Sequence, residues 1–414
     1  MQINKHFKSK LAEMSVSAGI KIIISVLCGA LLLTGGYGVI KGVVLPNTKT
    51  RTKALADYHG EGGAGGGSIG DYAIYGEGFE DGPCQTTYYS TLAKAMTDLN
   101  AGTNMGADAT EATAAASLSV RDKDGAVIVK VLKDTSGETL PNVTKDCIFD
   151  LNGKTIDLPD QTITFDGNTT FRDSVGTGVM KKLTNTNTNT MIIVNGDKVV
   201  FENGTYEARG NNAAITQCIR YSGTGDITIN NGTFKAYNTA AARARTIAIN
   251  SGNSLTINAG SFHAESNSEK GASAPAKWSS CNIYTGSATK KLTINNGNFK
   301  SYNYCQSQVT NITFGSETVV VNNGTFYCTN NLDPSATNAA GRESLGIYGA
   351  GKQLVINNAD VTAVSTNGET GDAVVTASNC TINGGVFKGL NTAVVPAHAG
   401  DVFGDTIVNG GSFY

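Results

Sequence analysis

The second half of this chain repeats one hexamer. "FENGTY" at Phe201, "INNGTF" at Ile229, "INAGSF" at Ile257, "INNGNF" at Ile294, "VNNGTF" at Val321, "INNADV" at Ile356, "INGGVF" at Ile382 and "VNGGSF" at Val408 are its variants. Their last residues (Tyr206, Phe234, Phe262, Phe299, Phe326, Val361, Phe387 and Phe413) follow one another at steps of 28, 28, 37, 27, 35, 26 and 26 residues. A nearly constant period with two longer steps is how a solenoid with loops of variable length reads. A chain of 414 residues could otherwise hold two or three ordinary domains.

Each position of the repeat has a physical reason. An apolar residue directly precedes the Asn position (Phe201, Ile229, Ile257, Ile294, Val321, Ile356, Ile382, Val408), and a second apolar column lies two residues earlier (Val199, Ile227, Leu255, Leu292, Val319, Leu354, Cys380). This period of two predicts a strand with one face inward. Two residues after the aromatic comes a small column: Ala208, Ala236, Ala264, Ser301, Cys328, Ala363 and Gly389. The glycine, replaced only by Ala359, provides a backbone bend. Asn230, Asn258, Asn295, Asn322, Asn357, Asn383 and Asn409 are expected to stack as an amide ladder, with Glu202 in that place in the first copy. The expected fold is all-β: a right-handed parallel β-helix with coils about 4.8 Å apart, a short capping helix and an N-terminal transmembrane helix.

The composition agrees. Fifty Gly, seven Pro and one Trp, with 16% charged residues, disfavour both helical bundles and charged disorder. The net charge of −2, with no basic stripe, excludes nucleic acid as an expected partner. The eight cysteines form no CxxC pair, so no metal and no cofactor is expected. Seven of them follow the apolar segment described next, and an odd number leaves at least one unpaired within the chain.

Ahead of the repeats, Lys5, Lys8 and Lys10 precede "IIISVLCGALLLTGGYGVI", Ile22 to Ile40, nineteen residues without a charge. That is about the length of a bilayer span, and no small-x-small cleavage site closes it. Cys28 follows Leu27, where lipid modification wants a small residue. Basic residues flank both sides (Lys21 against Lys41, Lys49, Arg51 and Lys53), so the orientation rests on the long C-terminal part being translocated. The expected organisation is a cytoplasmic basic tail over 1–17, a membrane anchor over 18–44, a Gly-rich linker over 45–83, an N-terminal solenoid cap over 84–135 and the β-helix over 136–414, outside the cell. Within the cap, Leu92, Ala95, Met96 and Leu99 have helical spacing after Ser90, the expected N-cap. "AVIVKVLKD" (Ala126 to Asp134) and "CIFDLNGKTIDL" (Cys147 to Leu158) read as strands, with Ile148 and Asp150 outward. "TNTNTNT" (Thr184 to Thr190) reads as an exposed loop.

The repeats resemble those of pectin-lyase-like right-handed β-helix proteins. The stretch "YSTLAKAM", "VIVKVLKD", "CIFDLNGKTIDL", "TFRDSVGTGVM" is similar to the start of β-helix modules in large adhesin-like surface proteins of Gram-positive gut bacteria. This covers roughly residues 85–414 and implies an adhesive or ligand-binding role. The segment "SVSAGIKIIISVLCGALLLTGGYGVIKGVVLP" is similar to pilin-like and small membrane proteins of mobile elements, but lacks the Gly-then-Glu processing pattern of type IV pilins. A pilin-like or filament subunit is therefore one alternative.

Pectin-lyase-like enzymes use acidic Ca²⁺ clusters with a basic residue, or paired carboxylates. Neither is visible: His263 and His398 lack the expected surroundings, and Asp226, Asp360, Asp372, Asp401 and Asp405 are scattered. No catalytic residue is assigned, and a polysaccharide lyase or glycoside hydrolase remains the other alternative. Arg243 and Arg245 in "AAARART" read as a solvated loop, or as a bidentate hold on a uronate carboxylate. The expected binding residues lie on the outward face after the hexamer, where Tyr237 and Tyr302 share a side with His263 and Tyr327, and in the inserted loop "SNSEKGASAPAKWSS", which carries Trp278. The expected partners are the membrane, through the N-terminal helix, and a glycan or protein ligand. Self-association through the final coil is also expected, because Phe413 and Tyr414 complete a repeat that no later coil covers; a monodisperse monomer in light scattering would contradict it.

Overall fold

The computed structural model describes residues 86–102, 107–120, 127–184, 190–211, 215–239, 243–252, 254–266, 280–304, 308–331, 343–365, 371–376, 379–396 and 405–414. The expected span at 18–44, the linker at 45–83, Trp278 and the interior of the Thr-Asn tract lie outside them. Among the described residues no helix is long and apolar enough to cross a membrane.

The described residues are mostly strand. Three sheets, of thirteen, eleven and nine strands among the described residues, each take one strand from every coil from Ile163–Phe165 onward. One coil runs through Thr216–Tyr221, Asp226–Ile229 and Thr233–Asn238 before Ala244–Ile249 opens the next. The strands that end in the apolar residue before the Asn form the first sheet, those containing the aromatic the second, and those between the repeats the third. Pairing between coils is parallel and keeps the register of the repeat, so that Ile229 lies beside Ile257 and Ile257 beside Ile294. This is the arrangement of a parallel β-helix solenoid.

The core is a cylinder along the stack. Val199, Ile227, Leu255, Leu292, Val319 and Leu354 are fully buried, as are Ala236, Ala264, Ser301, Cys328 and Ala363. The rings of Phe234, Phe262, Phe299 and Phe326 stack at 5.1, 4.6 and 4.7 Å between centroids, nearly coplanar at 6–7°. The five described cysteines (Cys147, Cys218, Cys281, Cys328 and Cys380) are free and buried, acting as small apolar groups.

At the N-terminal end, Thr86–Tyr89 and Ala116–Val120 pair antiparallel, and Ala116–Val120 pairs antiparallel with Val127–Val131, before parallel pairing begins at Cys147–Asp150. The helix Leu92–Ala101 buries Leu92, Ala95, Met96 and Leu99 in the same core. Its N-cap is Thr91 rather than Ser90: the Thr91 hydroxyl accepts from the Lys94 N–H at 3.2 Å. Ser90 turns instead to Asp108, donating its N–H and hydroxyl at 2.7 Å each. The helix ends at Gly102, whose φ of 65° lets its N–H reach the Asp98 carbonyl at 3.1 Å.

One outward expectation is corrected. Asp150 is fully buried, because its carboxylate accepts from Arg172 Nε at 3.1 Å and from the Asn152 and Ser174 N–H groups at 2.9 and 3.0 Å. Thr329, the strand partner of Tyr302, is also buried, and its hydroxyl donates to the Asn331 side-chain oxygen at 2.9 Å.

Candidate functional site

The outward face of the second sheet carries a continuous row of rings. Along each strand the outward positions alternate with the buried Phe and Ala columns, so Lys235 and Tyr237 point out from Thr233–Asn238, and His263 and Glu265 from Ser261–Ser266. In register, Tyr237 lies beside Glu265 and His263 beside Lys300. The rings therefore meet on the diagonal: Tyr237 to His263 at 5.1 Å, His263 to Tyr302 at 5.1 Å, and Tyr302 to Tyr327 at 6.0 Å. The Arg209 guanidinium extends the row, 4.7 Å over the Tyr237 ring. The four expected residues Tyr237, His263, Tyr302 and Tyr327 thus come together across four coils.

Charged groups on the same face flank the row. Glu207 pairs with Arg209 and lies 3.7 Å from Lys235, and the His263 Nε2 is 3.0 Å from the Glu265 carboxylate. The hydrogen bond that Arg209 donates to the Glu207 carboxylate holds the pKa of its guanidinium above the ordinary value, so it stays charged. Burial raises the Tyr237 and Tyr302 phenols, followed by the negative charge of Glu207 at Tyr237 and by the neighbouring Tyr327 phenol at Tyr302. Both are neutral donors at physiological pH, with ring faces half open. A surface of this kind can stack on apolar sugar faces or bury against a protein side chain.

At the turn between the first and second sheets, the seven Asn side chains hydrogen bond in series. Each Nδ2 donates to the Oδ1 of the coil before: Asn258 to Asn230, Asn295 to Asn258, Asn322 to Asn295, Asn357 to Asn322, Asn383 to Asn357 and Asn409 to Asn383, all between 2.7 and 2.8 Å. This ladder uses the amides among themselves and offers a ligand little, so its role is to hold register.

Arg245 is not in a solvated loop. It sits on the strand Ala244–Ile249 of the third sheet, 6% exposed, with its guanidinium carbon 3.8 Å from the centre of the Tyr284 ring. Burial, the largest cause, and then neighbouring charge that includes Arg243 bear on its pKa, with a net lowering. The sequence hides this face because the pairing passes over Cys218, Thr246, Asn282 and Asn311, which turn inward beside the core isoleucines and break the alternation.

Among the described residues no group of three or more His, Cys, Asp or Glu could hold a metal ion. At the far end of the stack Ile407, Val408, Phe413 and Tyr414 are exposed, Tyr414 by 71%.

Residues 3–60 match a family of unknown function, DUF6133. The match falls on the expected tail, the anchor and the first part of the linker, not on the repeats. No curated protein and no solved structure matches the chain.

Proposed function

We propose that the protein is a membrane-tethered, extracytoplasmic β-helix that displays a ligand-binding surface, serving adhesion or the capture of a glycan or protein. On this reading the solenoid is right-handed, the hand that crossovers between parallel strands overwhelmingly take, and is of the pectin-lyase-like kind. The uncharged segment Ile22 to Ile40 is the tether and the Gly-rich stretch after it the spacer. The observation that carries the reading is the row Tyr237, His263, Tyr302 and Tyr327, half-open aromatic faces held at fixed spacing on a rigid sheet. Such rows form a stacking surface with little conformational entropy left to lose on binding.

The test is retention of the full chain, in detergent, on a panel of immobilised polysaccharides, with and without Ca²⁺, while product release is followed. Retention that falls at least fivefold in Tyr302→Ala and Tyr237→Ala is expected. Release of soluble sugar would replace this reading by a lyase or hydrolase, and retention unchanged in both variants would remove the ring row from the site.

A further inference from the structure

The face that carries the ring row repeats with a period of two coils. Lys235 and Tyr237 stand two residues apart on Thr233–Asn238, and Lys300 and Tyr302 have the same relation on Asn298–Asn303. The strand between them, Ser261–Ser266, sets His263 beside both lysines and Glu265 beside both tyrosines. One coil before Lys235 the alternation continues, with Glu207 beside Lys235 and Arg209 beside Tyr237.

The two kinds of coil differ in charge. Where the row lacks a tyrosine, acid and base meet on their own strand: Glu207 pairs with Arg209, and the Glu265 carboxylate is 3.0 Å from His263 Nε2. Where it has one, the strand brings a lysine and no carboxylate. Lys300 is exposed, and none of the ion pairs among the described residues uses it. Lys235, half-buried, lies 3.7 Å from a Glu207 carboxylate already shared with Arg209. The open face therefore presents a cation and a ring at every second coil, about 10 Å apart at twice the strand spacing, with a carboxylate between them.

A sugar chain with extended, equatorial linkages advances by close to one strand spacing per sugar, so laid along the stack it sets successive sugars over successive coils. An extended peptide, with like side chains about 7 Å apart, falls out of step with the same coils. Lysine is a compact charge that takes a carboxylate or sulfate without requiring a planar fork, and the tyrosine beside it gives its ring face to the sugar. Over the intervening coil Glu265 repels an anionic sugar and accepts from the hydroxyl or amide N–H of an uncharged one.

We infer that the ligand of the ring row is a linear polysaccharide of alternating sugars, one anionic and one uncharged in each repeat, with anionic groups on Lys235 and Lys300 and the uncharged sugar over His263 and Glu265. This rests on the ring row being the binding face, and adds to it the charge pattern of what is bound.

The experiment is titration calorimetry of the full chain in detergent with three hexasaccharides: one of hyaluronan, in which every second sugar carries a carboxylate, hexagalacturonate, in which every sugar does, and cellohexaose, in which none does. The hyaluronan hexasaccharide is expected to bind at least tenfold tighter than either of the others, and less tightly as salt is raised. Lys300→Gln should weaken it about fivefold or more, and Glu265→Gln should narrow its lead over hexagalacturonate by removing the repulsion. Neither side chain is buried, and circular dichroism checks that both variants fold. Tightest binding by hexagalacturonate, equal binding of all three, or a lead unchanged in Glu265→Gln would overturn the inference, and loss of that binding in Tyr302→Ala would still keep the ring row as a glycan site. Binding of none of the three overturns it as well; the ring row itself falls only if the wider polysaccharide panel also shows no retention that depends on Tyr237 and Tyr302.

Discussion

Gly297 and Phe299 explain why the hexamer keeps a glycine two residues before its aromatic. A Cβ on Gly297 would lie 2.7 Å from the Phe299 ring, at a φ of +152° that side chains resist. Gly260 and Gly324 have the same relation to Phe262 and Phe326, at 3.2 and 3.1 Å. "INNADV" changes both partners together: Ala359 replaces the glycine where Val361 replaces the ring, and among the described residues Asn152 alone has positive φ without being glycine. The methyl group fits because the ring is gone. We expect Gly297→Ala to destabilise by about 1–3 kcal/mol, and the double variant with Phe299→Val to lose less than the sum of the two single changes. Urea unfolding of the three variants measures this; strict additivity would sink the steric explanation.

The ladder is a property of the turn as an element, not of any one asparagine. Asn295 both donates to Asn258 and accepts from Asn322, at 2.7 Å each, whereas Asn409 makes one such bond, at 2.8 Å. Asn295→Ala is therefore expected to cost about 1–3 kcal/mol, and Asn409→Ala about half of that, taking roughly 0.5–1.5 kcal/mol for each net hydrogen bond. Hydrogen exchange should show the Asn295 variant opening at the turns of the coils on either side. Equal costs at the two positions would mean that the amides do not act in series.

At the scale of the whole molecule, the stack turns four of the described cysteines into unreactive filling. Burial pushes the Cys147 thiol up to about 12 and Cys380 to about 11, with Cys218 and Cys328 higher still. The thiolate is the reactive form, so at pH 8 iodoacetamide should leave these four unlabelled in the native protein and label them all in urea. Peptide mass spectrometry reads each site separately. Native labelling at Cys328, in the middle of the stack, would show that coils open singly rather than as one cooperative unit.

What could be read from the residues and what could not divide along the same physical line. The period, the turn, the inward columns and the Asn ladder were legible because a parallel stack places equal positions of each repeat on top of one another, so the identity of Asn258 already names its partners. The ring row was half legible: alternation puts Tyr237, His263, Tyr302 and Tyr327 on one side, while their diagonal meeting depends on the register between strands. Thr91 displaced Ser90 as the cap, and Asp150 sank beneath Arg172, because tertiary hydrogen bonds outweighed local pattern. The third sheet was not legible, since pairs such as Cys218 and Ile219 both turn inward and erase the period of two. Burial of Arg245 against Tyr284 is created only when the coils close and stack, because the two residues lie 39 positions apart in the chain and a strand apart in the sheet.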